Sequence, residues 1–179
     1  SSFFSVFAQL SSKHYIPPIT TSDPIANQII YISTPSSANI SFTITPIGGT
    51  PTNYVTSNDS PFAYEIFNSS NGGNNSQLHQ LNSDTNTVID DKGFIIESTE
   101  GLLSVSVRVR RALIAGFGQV HAGALVSKGL SALGREFRVG GLIPEVGGGN
   151  RLNFVSVMAT ENNTNITFNI PSGTDLLNS

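Results

Sequence analysis

The chain is 179 residues long, carries a net charge of −3, and contains neither cysteine nor tryptophan. That length suits one domain whose core needs no staples, while 12% charged residues leave no broad basic surface for nucleic acid or an anionic membrane. The missing cysteine removes disulfides, thiolate catalysis and cysteine-ligated metals together.

Residues 1–9, SSFFSVFAQ, read as the tail of a signal peptide. Residues 2–7 end an apolar core, and Val6 and Ala8 are small enough for positions −3 and −1 before a cleavage site. Residues 1–8 are then expected to be removed and the protein exported, with Gln9 first; an ordinary opening β-strand is the alternative. No apolar run reaches the length of a membrane span.

Beyond Gln9, alternation with a period of two dominates. Strands are expected at QIIYIS (28–33), NISFTIT (39–45), FAYEIF (62–67), GFIIES (93–98), SVSVRVR (104–110), NFVSVMAT (153–160) and NITFNI (165–170). In these, Ile40, Phe42 and Ile44, then Val105, Val107 and Val109, then Ile166, Phe168 and Ile170 each share an inward face. Arg108 and Arg110 point outward, where charge discourages edge pairing. Segments rich in Gly, Pro, Asn and Asp separate the strands: TPSSAN, TPIGGTPTN, NSSNGGNNSQ, DDKG and ATENNTN. Only SKGLSALGREF has room for a short helix. The expected fold is all-β, an antiparallel β-sandwich of jelly-roll or immunoglobulin-like type with little helix, spanning residues 9–171, with 172–179 opening a linker.

Chemistry-bearing patterns are sparse. GLSALGRE (129–136) approaches a phosphate-binding loop, but Arg135 and Glu136 stand where that loop needs Lys and a hydroxyl, and no strand-to-long-helix context surrounds it. GFGQVHAG (116–123) misses the dinucleotide spacing. No G-x-S-x-G elbow occurs, and His14, His79 and His121 are far apart in sequence. Asp90 and Asp91 precede Lys92-Gly93 in a turn; they are the weak candidates for calcium, and with Glu161 the acids an enzyme reading would use. A solvated turn accounts for Asp90 and Asp91 as well. Six N-x-S/T triplets occur, at Asn39, Asn58, Asn68, Asn74, Asn162 and Asn165, and mean surface glycans only in a eukaryotic secreted protein.

The second half carries a resemblance. EGLLSVSVRVRR is followed by KG..ALG..F..G, matched by Lys128, Gly129, Ala132, Leu133, Gly134, Phe137 and Gly140. A closing pair F..V.ATENNT.IT follows, matched by Phe154, Val157, Ala159, Thr160, Glu161, Asn162, Asn163, Thr164, Ile166 and Thr167. This order resembles the N-terminal domain shared with IgGFc-binding proteins in large surface proteins of Bacteroidetes. KHYIPPIT, IIYISTPS and ISFTITPIGG resemble the start of gliding-motility adhesins of that phylum. Arg135 departs from the family's Thr or Lys, and Asn162 from its Asp, which takes away a carboxylate.

The resemblance implies a non-catalytic cell-surface domain, the N-terminal module of a large adhesin or gliding-motility-associated protein. Its partners would be an extracellular glycan or protein ligand and the remainder of a longer chain, with no cofactor, no nucleic acid and no membrane span. It gives Lys128, Gly129, Gly134, Phe137, Gly140, Glu161, Asn162 and Asn163 structural roles. Gly129, Gly134 and Gly140-Gly141 would turn the chain while Ala132, Leu133 and Phe137 plug the core. Asn162-Asn163 would sit in a left-handed hairpin turn, and Lys128 and Arg138 either border the connection or mark a binding rim. The alternative is a carbohydrate-binding module using Tyr15, Tyr31, Tyr54 or Tyr64, although tryptophan, the usual sugar-stacking residue, is missing.

Overall fold

A computed structural model of the chain describes residues 9–20, 25–73, 76–81, 83, 87–111, 122–140 and 154–171. The sequence alternation becomes alternation in space. Its strands are β1 (Leu10–Ser11), β2 (Lys13–Ile16), β3 (Ile19–Thr20), β4 (Ile25–Ser33), β5 (Ile40–Pro46) and β6 (Thr52–Thr56). They continue with β7 (Phe62–Gly73), β8 (His79–Gln80), β9 (Phe94–Glu97), β10 (Leu103–Arg111) and β11 (Ala122–Ser127), and a 3-10 turn follows at Gly129–Ala132. No helix among the described residues is long and apolar enough to cross a membrane.

Two antiparallel sheets face each other. One runs β1-β10-β4-β7, with β11 also on β10, and the other runs β2-β9-β5-β6. Residue pairing sets β1 against the Leu103–Ser104 end of β10 and β11 against Val105 through Arg110, both opposite β4. β1 and β2 belong to different sheets although only Ser12 separates them, so the first strand crosses from one sheet to the other at that side of the sandwich. β3 and β8 form a separate two-stranded pair, and it is parallel.

The core is what the period predicts. Ile40, Phe42 and Ile44 from β5 meet Ile30 and Ile32 from β4, Val105 and Val107 from β10, and Phe94 and Ile96 from β9 in one buried cluster. Each such side chain contributes about 1.5–3 kcal/mol by leaving water. Aromatic rings line one end. Phe42 meets Phe62 edge-on at 5.6 Å, Tyr54 lies 4.6 Å from Phe62, and Tyr64 meets Phe94 edge-on at 5.8 Å. Such pairs add to burial because ring edges and faces carry opposite partial charge. Gly93 ends the DDKG turn at φ +100°, where a Cβ would stand 2.7 Å from the Ile16 carbonyl oxygen.

Several expectations need correction. Residues 154–160 and 165–170 are described but form no strand, and Ile166, Phe168 and Ile170 are 46%, 59% and 45% exposed rather than inward. Leu133 and Phe137 are also exposed, and so is Ala132, so none of the three plugs the core. Alternation announces a face that burial would favour, but burial requires an opposing surface, and none among the described residues covers these side chains. Strands β6 and β11 lie in stretches that glycine and proline marked as turn or connection. Their short, glycine-flanked alternation gives little signal against that background. The suspected signal tail 1–8, the linker 172–179, Gly141 and His121 lie outside the described residues.

Candidate functional site

The outward face of the five-stranded sheet is where side chains with recognition chemistry gather. Period two turns Ile29, Tyr31 and Ser33 of β4, and Ser104, Ser106, Arg108 and Arg110 of β10, away from the core. Cross-strand register sets Ser106 between Tyr31 and Val126, and Arg108 between Ile29 and Ala124. The Arg108 guanidinium lies 5.9 Å from the centroid of the Tyr31 ring. This is cation–π distance, and it holds a flexible cation beside an open aromatic face. Of the four tyrosines, Tyr31 is the exposed one. Tyr54 and Tyr64 turn into the aromatic cluster, and Tyr15 lies half-buried beside the Lys13 ammonium. The face can offer an apolar ring, a fixed cation and serine hydroxyls to one ligand.

A cleft of about 440 Å3 opens elsewhere, between Pro46, Tyr64, Glu65, Phe67 and Gln77. The hydroxyl in its wall, Ser76, is committed to structure. It donates to the Gln28 side-chain oxygen and accepts from the backbone N–H groups of Leu78 and His79. Gln77 closes the floor by donating its amide to the carbonyls of Ile47 (3.2 Å), Asp91 (2.9 Å) and Gly93 (3.0 Å). These bonds hold three loops together and leave the amide no hydrogen for a ligand.

Asp90 and Asp91 are exposed in the turn before Gly93. Lys92 behind them donates to the carbonyls of Ser76 (2.7 Å) and His79 (3.1 Å). Its burial pushes the ammonium pKa down, and the charge of Asp91 partly restores it. Calcium wants six or more oxygens. Here the Lys92 ammonium already uses the Ser76 and His79 carbonyls, and no group of three or more His, Cys, Asp or Glu occurs among the described residues.

The residues singled out by resemblance do not converge on one place. Gly129 is buried at φ +55°, and a Cβ there would meet Ser11 Cβ at 2.2 Å. Lys128 is exposed and lends its carbonyl to the Ser131 hydroxyl at 2.6 Å. Gly134 rests against the exposed Phe137 ring, and nothing lies within 4 Å of a Cβ at Gly140. Glu161, Asn162 and Asn163 are all exposed. Asn163 takes a left-handed φ of 60°, and the Thr164 hydroxyl donates to the Glu161 carbonyl at 2.8 Å. The turn expected there exists without the paired strands.

One cluster escaped the sequence reading. His14 is fully buried, its Nε2 2.9 Å from the Leu103 carbonyl and 3.2 Å from that of Ser11, its Nδ1 2.9 Å from Ser127 Oγ. Carbonyls only accept, so Nε2 carries the proton and Nδ1 accepts from the Ser127 hydroxyl. Ser127 Oγ also accepts from Gly129 N–H at 3.2 Å, and Ser11 Oγ accepts from Leu130 N–H at 3.1 Å. Burial lowers the His14 pKa, and the two backbone carbonyls offset part of that. A signal was present in KHYI, where His14 shares the phase of inward Ile16. The serine and histidine are paired, but both are buried and hold β2, β10, β11 and the 3-10 turn together.

No protein-family model matches the chain, and no curated protein or solved structure matches it either.

Proposed function

We propose that this chain is a non-catalytic, exported cell-surface module, N-terminal in a large adhesin or gliding-motility-associated protein. It acts by binding an extracellular ligand on the outer face of the five-stranded sheet. The observation that carries the binding reading is the exposed Tyr31 ring with Arg108 at 5.9 Å among outward serines. The signal-like start and the resemblance of residues 128–167 to surface-protein N-terminal domains support export and adhesion.

The same pair favours a second reading, a carbohydrate-binding module. A tyrosine face stacks on the C–H side of a sugar, and guanidinium and hydroxyl groups bond to its oxygens.

Retention on immobilised polysaccharides and on extracellular proteins, measured for the wild type, Tyr31→Ala and Arg108→Ala, tests both. Truncating a central aromatic anchor is expected to weaken binding about tenfold or more, with far-UV circular dichroism unchanged. Retention on glycans supports the carbohydrate module, and retention on proteins alone supports the broader adhesion reading. Turnover of a glycan or peptide by the pure protein, or retention unaffected by both substitutions, overturns the assignment.

A further inference from the structure

Among the described residues one edge of the sandwich has no neighbouring strand, and the chain carries a segment with a strand's pattern. Among the described residues β11 pairs on one side only, with β10. Leu125 sits opposite buried Val107 and so faces the sandwich interior, yet it is 44% exposed. Val126, on the opposite face, is 45% exposed. An open edge that presents both backbone polar groups and an interior-facing leucine is a template for another strand.

The described arm 154–171 has the complementary pattern. Ile166, Phe168 and Ile170 alternate with Asn165, Thr167 and Asn169 over a length equal to that of β11. All three apolar side chains are about half exposed or more, with no strand partner among the described residues. Glu161 is the only charge on the arm, and Lys128, exposed, marks the end of β11.

We infer that two copies of the chain exchange these arms, the 165–170 segment of each pairing antiparallel with β11 of the other. Setting Phe168 opposite Leu125 puts Ile166 opposite Ser127 and Ile170 opposite Gly123, all on the interior face. Thr167 and Asn169 then lie outward beside Val126 and Ala124, and the turn bearing Glu161 runs out past Lys128. Directly opposed residues of an antiparallel pair share a face, so a slip of one residue would turn every apolar side chain to water. The donor is assigned to a second copy on the direction in which the chain leaves β11, and an arm folded back on its own β11 is the outcome that the test separates. Gly129 N–H bonds to Ser127 Oγ and Leu130 N–H to Ser11 Oγ, which draws the chain over β1 and β2 and away from the outer side of β11. Each copy gives one arm and accepts one, so the exchange closes as a two-fold dimer.

The chain contains no cysteine, which makes disulfide trapping clean. Leu125→Cys and Phe168→Cys are made in separate full-length chains, mixed and oxidised, with the wild type followed by sedimentation velocity. The expected result is a concentration-dependent wild-type dimer and a disulfide heterodimer of the two variants, because opposed residues of neighbouring strands lie within disulfide reach. Phe168→Asp alters a side chain that is 59% exposed, so it leaves the sandwich folded while weakening the dimer at least tenfold. A third chain carries both Leu125→Cys and Phe168→Cys and is oxidised at high dilution. Three results each overturn the inference: a wild-type monomer at every concentration, no cross-linking in the mixture, or an intramolecular disulfide in the doubly substituted chain.

Discussion

His14 Nδ1 and Ser127 Oγ meet at 2.9 Å across 113 residues of sequence. The bond joins the second strand to the end of the last described one and closes the side of the sandwich where the first strand changes sheets. It is a buried polar contact whose every group has a partner: the imidazole proton goes to backbone carbonyls, and the serine proton goes to the imidazole. Such a node specifies one arrangement, because any other leaves a polar atom dry and unpaired.

Stability should therefore depend on pH in the histidine range. Burial lowers the folded-state pKa of His14 below 6.5, and burial together with the Lys92 charge does the same for His79. The unfolded chain then binds more protons than the folded one as pH falls below 6.5. The stabilisation is complete above the unfolded pKa and declines below it, by at most ~1.4 kcal/mol per pH unit for each histidine. It levels off below the folded pKa. Urea midpoints between pH 8 and 5 should fall with acid and fall less steeply in His14→Gln. A midpoint independent of pH across that span contradicts the buried neutral imidazole.

The glycines of the resemblance segment should separate sharply under alanine substitution. Gly129→Ala forces a left-handed φ on a residue with a Cβ and drives that Cβ into Ser11 and the Lys13 carbonyl. It should cost more than ~1 kcal/mol, as lost chemical-denaturation stability. Gly140→Ala meets nothing within 4 Å and should fall within about ±0.5 kcal/mol. Equal effects at the two positions would remove the packing account of Gly129.

Gln77 offers a third check. Its amide serves the carbonyls of Ile47, Asp91 and Gly93, so Gln77→Ala should cost about 1–3 kcal/mol through unpaired acceptors. Gln77→Glu should cost more at neutral pH, because a carboxylate would face three carbonyl oxygens. Protection of nearby amides from hydrogen exchange should drop in both variants; protection unchanged from the wild type would show that these bonds do not hold the loops.

Period two was enough to find most of the framework. Alternation alone turns Ile40, Phe42, Ile44, Val105 and Val107 inward, and all five are buried, since a strand's faces follow from backbone geometry. The same rule failed at Ile166, Phe168 and Ile170, which have the pattern but no surface of their own chain to meet among the described residues. Phe42 and Phe137 make the contrast plain. Both are phenylalanines, yet one is 2% exposed and the other 59%.

The candidate ligand face was half legible. Alternation turned Arg108 outward, and composition offered four tyrosines, but nothing in the order of residues says which tyrosine meets that arginine. Register decides it: β4 runs beside β10 so that Tyr31 pairs with Ser106 and comes within reach of Arg108, while Tyr54 and Tyr64 face the core. The sequence by itself determined an all-β chain, its main strands and their inward residues, because those depend on local backbone geometry and on which side chains avoid water. The tertiary structure alone decided which strands are neighbours, that His14 meets Ser127, and that among the described residues β11 pairs only with β10. Those depend on contacts between distant segments, which local alternation does not encode.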